Sequence, residues 1–229
     1  MRKPKNKAIL ILTSPLFWII GICSGMIYLE FFSSSISVFL AANCGNSPTE
    51  VLSGQYYRLF TALFLHQDIF HFAGNMIPLA LLTWIISASI TRLQYLMVLF
   101  FSGVIGNLLA DIFITRLYKL NGHIWSFLTT FGYTDGSIGM STAIEGLFFF
   151  ATIVFLLTNL GRFSKVKFKL GLLVLVILSQ ILGAYQNLST NPWLDLASYT
   201  HFGGGLTGAL LAIIFLYRHH LKAKPTIDD

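Results

Sequence analysis

Gly136-Ser137-Ile138-Gly139-Met140-Ser141-Thr142-Ala143-Ile144-Glu145-Gly146 opens an apolar run that continues to Leu157. A run of about 20 apolar residues is long enough to cross the hydrocarbon core of a bilayer as a helix. Ser141 at its glycine-lined start is a candidate nucleophile. A nucleophilic serine needs a base and donors for an oxyanion. Other apolar stretches supply both: His201 stands before Gly203, Gly204 and Gly205, and His66, His71 and Asn75 come earlier in the chain.

Composition agrees with a membrane setting. Of 229 residues, 55% are hydrophobic and only 10% charged, and the mean hydropathy is +0.73. These values exclude an ordinary soluble domain and point to one polytopic membrane domain. The net charge of +6 then reports membrane topology rather than nucleic-acid binding. If the stretch between Cys23 and Cys44 is helical, the two lie about 30 Å apart, too far for a disulfide. The basic start followed by an apolar run imitates a signal peptide, but residues 8–32 exceed a signal core of about 7–15 residues. A retained first span is expected.

Six spans are expected, at about Ala8–Phe32, His71–Ile90, Leu93–Leu117, Ile138–Leu157, Phe168–Leu188 and Leu196–Tyr217. All are continuous runs, so helices rather than a closed barrel satisfy their backbones in lipid. With the N-terminus inside, twelve of the 15 Lys and Arg residues fall on the inner side, and only Arg58, Arg116 and Lys119 fall outside. That bias follows the positive-inside rule. The expected organisation is a basic cytoplasmic segment at residues 1–7, a membrane domain at 8–217 and a cytoplasmic tail at 218–229. In the first outer loop, about Ser33–Phe70, the segment Tyr56–His66 has the aromatics of a helix lying partly in the outer leaflet. The second outer loop carries Trp125, and the third, around Trp193, has hairpin-turn chemistry.

Under this topology Ser141 and His201 sit at similar depth near the outer ends of two different helices, as a serine–histidine pair requires. Gly139 and Gly146 flank Ser141, and Gly204 and Gly208 lie one and two turns below His201. Such small faces let backbones approach closely. His71 and Asn75, four apart, share a helix face. Other chemistries fit less well. Haem held between His71 and His201 leaves Asn75 and Ser141 unexplained. No His-Glu-x-x-His motif occurs, and Asp111 has no intramembrane aspartate partner, so it is expected to bond within the bundle.

His66-x4-His71-x3-Asn75, the preceding Arg58-Leu59-Phe60-Thr61, Gly139-Met140-Ser141 in the fourth span, and His201-Phe202-Gly203-Gly204 with Gly208 in the sixth together resemble the rhomboid intramembrane serine proteases, over about Arg58–Gly208. The resemblance implies an all-α polytopic, six-transmembrane-helix rhomboid-like bundle with a water-filled cavity opening outward. It implies a Ser141–His201 dyad and an oxyanion site formed by His71, Asn75 and the Ser141 amide. His66 is expected to support the first loop and Arg58 to anchor its embedded hairpin. The fifth span and the Trp193 loop are expected to form a lateral gate for a substrate helix. The implied partners are transmembrane-helix proteins cut near the outer face, and the lipid bilayer, with no nucleic acid and no cofactor or metal. The implied location is a bacterial-type plasma membrane with both termini cytoplasmic, and the oligomeric state is left open. Three positions depart from the family pattern. Thr142 replaces the usual glycine after the nucleophile, Glu145 replaces an aromatic four positions on, and Ser87-Ala88-Ser89 replaces the acidic end of the second span. Glu145 shares the Ser141 face and has two readings: an acceptor that orients His201, or a neutral carboxyl bonded to its own surroundings. The alternative function is a catalytically inactive rhomboid-like protein that binds transmembrane helices.

Overall fold

The structure is a computed structural model describing residues 14–120, 136–190 and 196–223, with no side chains described for 117–120, 163, 180–190, 197 and 220–223. The basic N-terminal segment, the Trp125 loop and the Trp193 turn lie outside the described residues. Nine α-helices appear among the described residues: α1 Pro15–Phe32, α2 Ser34–Cys44, α3 Pro48–Leu52, α4 Arg58–Thr61, α5 Ile69–Ile86, α6 Arg92–Leu120, α7 Ser141–Thr158, α8 Lys167–Thr190 and α9 Leu196–Ala223. Short 3-10 turns occur at Ala62–Phe64 and Phe163–Lys165.

Five of these, α1, α5, α6, α7 and α9, contain windows long and apolar enough to cross a membrane. The remaining expected span coincides with α8, a helix of 24 residues. Local chemistry sets the ends. Pro15 opens α1, where a missing N–H costs nothing. The Asp68 carboxylate accepts the His71 N–H at 2.8 Å and starts α5. This helix stops at Ile86 rather than Ile90, because Ser87 and Ser89 favour a turn over helix continuation.

The first loop differs from expectation. Its longest helix is α2, an apolar 11-residue element with Val38 69% and Phe39 63% exposed. Tyr56–His66 instead folds into the short α4 and a 3-10 turn. The sequence signal there was aromatic content, which suits an interface in either conformation.

At the centre, α6, α7 and α9 pack against one another more extensively than any other helices. Lipid tails are as apolar as leucine, so close van der Waals packing rather than hydrophobic burial must hold them. Glycines supply it. A Cβ on Gly208 would fall 1.9 Å from the Gly146 carbonyl oxygen, and one on Gly204 would fall 2.2 Å from that of Thr142. A Cβ on Gly203 would fall 2.7 Å from that of Gly106. Leu79 and Leu82 of α5, Leu99 of α6, Leu147 and Val154 of α7, and Ala212 of α9 fill the interior. At the end far from Ser141, Lys169 of α8 donates to the Trp84 and Ile85 carbonyls at 2.9 and 3.0 Å and lies over the Trp84 ring. A cation is thereby placed on the C-terminal carbonyls of α5, where the helix dipole favours it.

Candidate active site

Ser141 is the first residue of α7, with Met140 as its N-cap. The expected start at Ile138 is corrected: Gly139 has φ +114, which a helix cannot hold and which non-glycine residues rarely adopt. The segment before the helix is fixed from two sides. Asn46 and Ser137 form an antiparallel bridge, and the Gly139 N–H donates to the Ala62 carbonyl at 2.9 Å. The serine thus projects from the positive end of an 18-residue helix, where developing negative charge is favoured.

His201 arrives from α9 with its Nε2 at 2.8 Å from the Ser141 Oγ. The two residues are 60 apart in sequence, and the glycine contacts between α7 and α9 are what bring them within reach. His71 and Asn75 reach the same place from α5. A Cβ on Gly139 would lie 2.6 Å from His71 Nε2 and 3.3 Å from Asn75 Nδ2. Both side chains therefore face the segment that leads into Ser141, in space that only a glycine leaves open. Asn75 is 5% exposed, and its Nδ2 has no hydrogen-bond partner among the described residues. A buried amide donor without an acceptor is costly. It is an unused donor facing Gly139, two residues before Ser141 in the chain.

His66 stands behind His71, their ring centroids 5.3 Å apart and edge to face, and also packs on Phe72. It is 1% exposed, and its backbone N–H donates to the Glu30 carboxylate of α1 at 3.2 Å. Glu30 was not singled out from the sequence. A signal existed, because an ionisable residue inside an apolar span calls for a partner. Burial, and after it the neighbouring His71, hold the His66 imidazole down at about 4, against the Phe64 backbone, which acts the other way. The folded protein therefore prefers neutral His66, and the unfolded chain binds the proton first as pH falls. Stability from this group is complete above pH 6.5 and is lost between there and pH 4, roughly 3 kcal/mol in all. Thermal unfolding of wild type and His66→Gln across this range should show the wild type losing more stability on acidification. Parallel curves would refute the assignment.

Arg58 lies 5% exposed in the first loop. Its Nη1 donates to the Ala42 and Gly45 carbonyls at 2.8 and 3.0 Å, and its Nε donates to Gln55 at 2.8 Å. It ties the end of α2 to α4. Thr61 adds a 2.7 Å bond to the Cys44 carbonyl.

The two departures nearest the nucleophile are accommodated in different ways. Thr142 is 3% exposed and turns into the helix interface, its Cγ2 only 2.6 Å from where a Gly106 Cβ would stand. Glu145 lies against Gly205, whose Cβ would be 3.7 Å from the Glu145 Cγ. That places it beside α9 one turn beyond His201. Asp111, expected to bond within the bundle, accepts from Asn46 Nδ2 at 2.9 Å.

An all-α polytopic membrane bundle with a serine and a histidine in contact near one end is the class of protein these features define. A model of the Rhomboid domain matches residues 53–218, most of the chain and all four residues grouped at Ser141, so the chain belongs to the rhomboid family. No curated protein matches it.

Proposed function

We propose that this rhomboid protein is an intramembrane serine endopeptidase that hydrolyses peptide bonds in or near transmembrane helices. The observation that carries this reading is the 2.8 Å contact between His201 Nε2 and Ser141 Oγ. In this mechanism the imidazole takes the serine proton as Oγ attacks the scissile carbonyl, then returns it to the leaving amine. Asn75 Nδ2, His71 Nε2 and the Ser141 amide hold the oxyanion, each donor contributing a few kcal/mol. Water then releases the acyl group by the same steps in reverse.

The lysine and arginine bias supports placing the Ser141 end at the outer face, with both termini cytoplasmic. The domain reading of residues 1–7, 8–217 and 218–229 is kept, and α9 runs on to Ala223. The fifth span is read as the lateral gate, and single-span membrane proteins as the substrates.

The test is labelling of the detergent-purified protein with a fluorophosphonate probe, wild type against Ser141→Ala. Labelling that the substitution abolishes is the expected result. A folded wild type that takes no probe and leaves a transmembrane substrate uncut would overturn the reading in favour of an inactive helix-binding protein.

A further inference from the structure

Ser141 gains its position from the residues before it, and these are held by a part of the chain nearly a hundred residues away. The Asn46 N–H donates to the Ser137 carbonyl at 3.0 Å, and the Ser137 N–H donates to the Asn46 carbonyl at 2.8 Å. The Asn46 side chain then reaches α6: its Nδ2 donates to Asp111 Oδ1 at 2.9 Å, with Ser137 Oγ at 3.5 Å. Asn46 and Asp111 are both 0% exposed. Contacts around the bridge are tight. A Cβ on Gly136 would fall 2.7 Å from the Asn46 carbonyl oxygen, and one on Gly45 would fall 3.3 Å from Ile138 Cγ2.

We propose that Asn46 is a positioning residue for the Ser141 nucleophile, clamping the segment that leads into α7 and being itself held by Asp111. The proposal rests on the serine-protease reading above. Its physical basis is that a single backbone bridge is a weak constraint, whereas a bridge whose partner is anchored to a spanning helix is a fixed point. Only Ile138, Gly139 and Met140 separate Ser137 from the nucleophile, so a shift at the bridge passes directly to Oγ. A misplacement of about 1 Å in a reacting group can cost about 100-fold in rate. The residue types fit the task. An amide donates to a buried carboxylate without adding charge, whereas an aspartate at position 46 would set two carboxylates against each other.

The experiment measures fluorophosphonate labelling rate and cleavage of a transmembrane substrate for the full-length chain in detergent, with thermal unfolding of every variant. Asn46→Ala and Asp111→Ala should each lower kcat and the labelling rate by about 10- to 100-fold at unchanged KM, and the double variant should be no worse than either single one. Asn46→Asp should be inactive, and the exchange Asn46→Asp with Asp111→Asn should recover activity, because the donor and acceptor are then swapped. A folded Asn46→Ala with wild-type rates, losses that multiply in the double variant, or no recovery in the exchange would each overturn the proposal. If Asn46→Ala does not fold, the exchange alone decides. A wild type that takes no probe would instead defeat the protease reading, so the two failures are distinct.

Discussion

His201→Ala is expected to lower peptide-bond cleavage by about 10⁴-fold or more, with the substrate KM little changed. Removing the base of a serine–base pair has effects of this order, and the remainder of the site supplies the residual rate. The loss should fall on chemistry because the imidazole Nε2 is turned to Ser141 Oγ at 2.8 Å, so what disappears is the proton acceptor. Kinetics on a fluorogenic transmembrane substrate, with probe labelling in parallel, measure it. A His201→Ala enzyme within tenfold of wild type would mean that another group accepts the proton. Glu145 enters the same experiment. If its carboxyl orients His201, Glu145→Gln should lower kcat at constant KM. An unaltered rate removes it from the mechanism and leaves a dyad.

The second large effect is structural. Gly208→Val should leave little folded protein and no probe labelling, and Gly208→Ala should fall in between. A Cβ at this position meets the Gly146 carbonyl oxygen at 1.9 Å, its carbon at 2.5 Å and its Cα at 2.6 Å. All three are backbone atoms of another spanning helix, so no side chain can swing away. Overpacking usually costs about 1–3 kcal/mol, and a clash with backbone belongs at the upper end or beyond. Separating α7 from α9 also separates Ser141 from His201, because Gly208 lies two turns along α9 from that histidine. Thermal unfolding in detergent, together with labelling, tests both parts. A valine variant as stable and reactive as wild type would show that the helices adjust independently of the site.

The grouping at Ser141 was readable because its members are chemically conspicuous. Histidines and an asparagine in apolar helices are costly, and the spacing of His71 and Asn75 places them on one face. Glycines at 139, 146, 204 and 208 announced close approach, and the structure uses each of them. The first loop was harder to read. Apolar, aromatic segments suit an interface whether helical or irregular, so a helix was expected at Tyr56–His66, whereas the loop's longest helix is Ser34–Cys44. The Asn46–Ser137 bridge had no readable signal. It is made by backbone atoms of residues 91 positions apart, and a single bridge leaves no alternation of side chains. The exact start of α7 depended on that bridge and on the left-handed Gly139, which is why Ile138 looked helical from composition alone.

Thr142 gives the bundle something its glycines cannot. Two smooth faces in contact resist separation but offer little resistance to rotation about the helix axis, since nothing projects from one into the other. The Thr142 methyl is such a projection, seated against α6 at Gly106 and against α9 at Gly204, where a Cβ would stand 3.1 Å from it. It acts as a key in a slot and sets the azimuth of α7. Because Ser141 is the adjacent residue, the aim of the hydroxyl is tied to the angular setting of the whole helix.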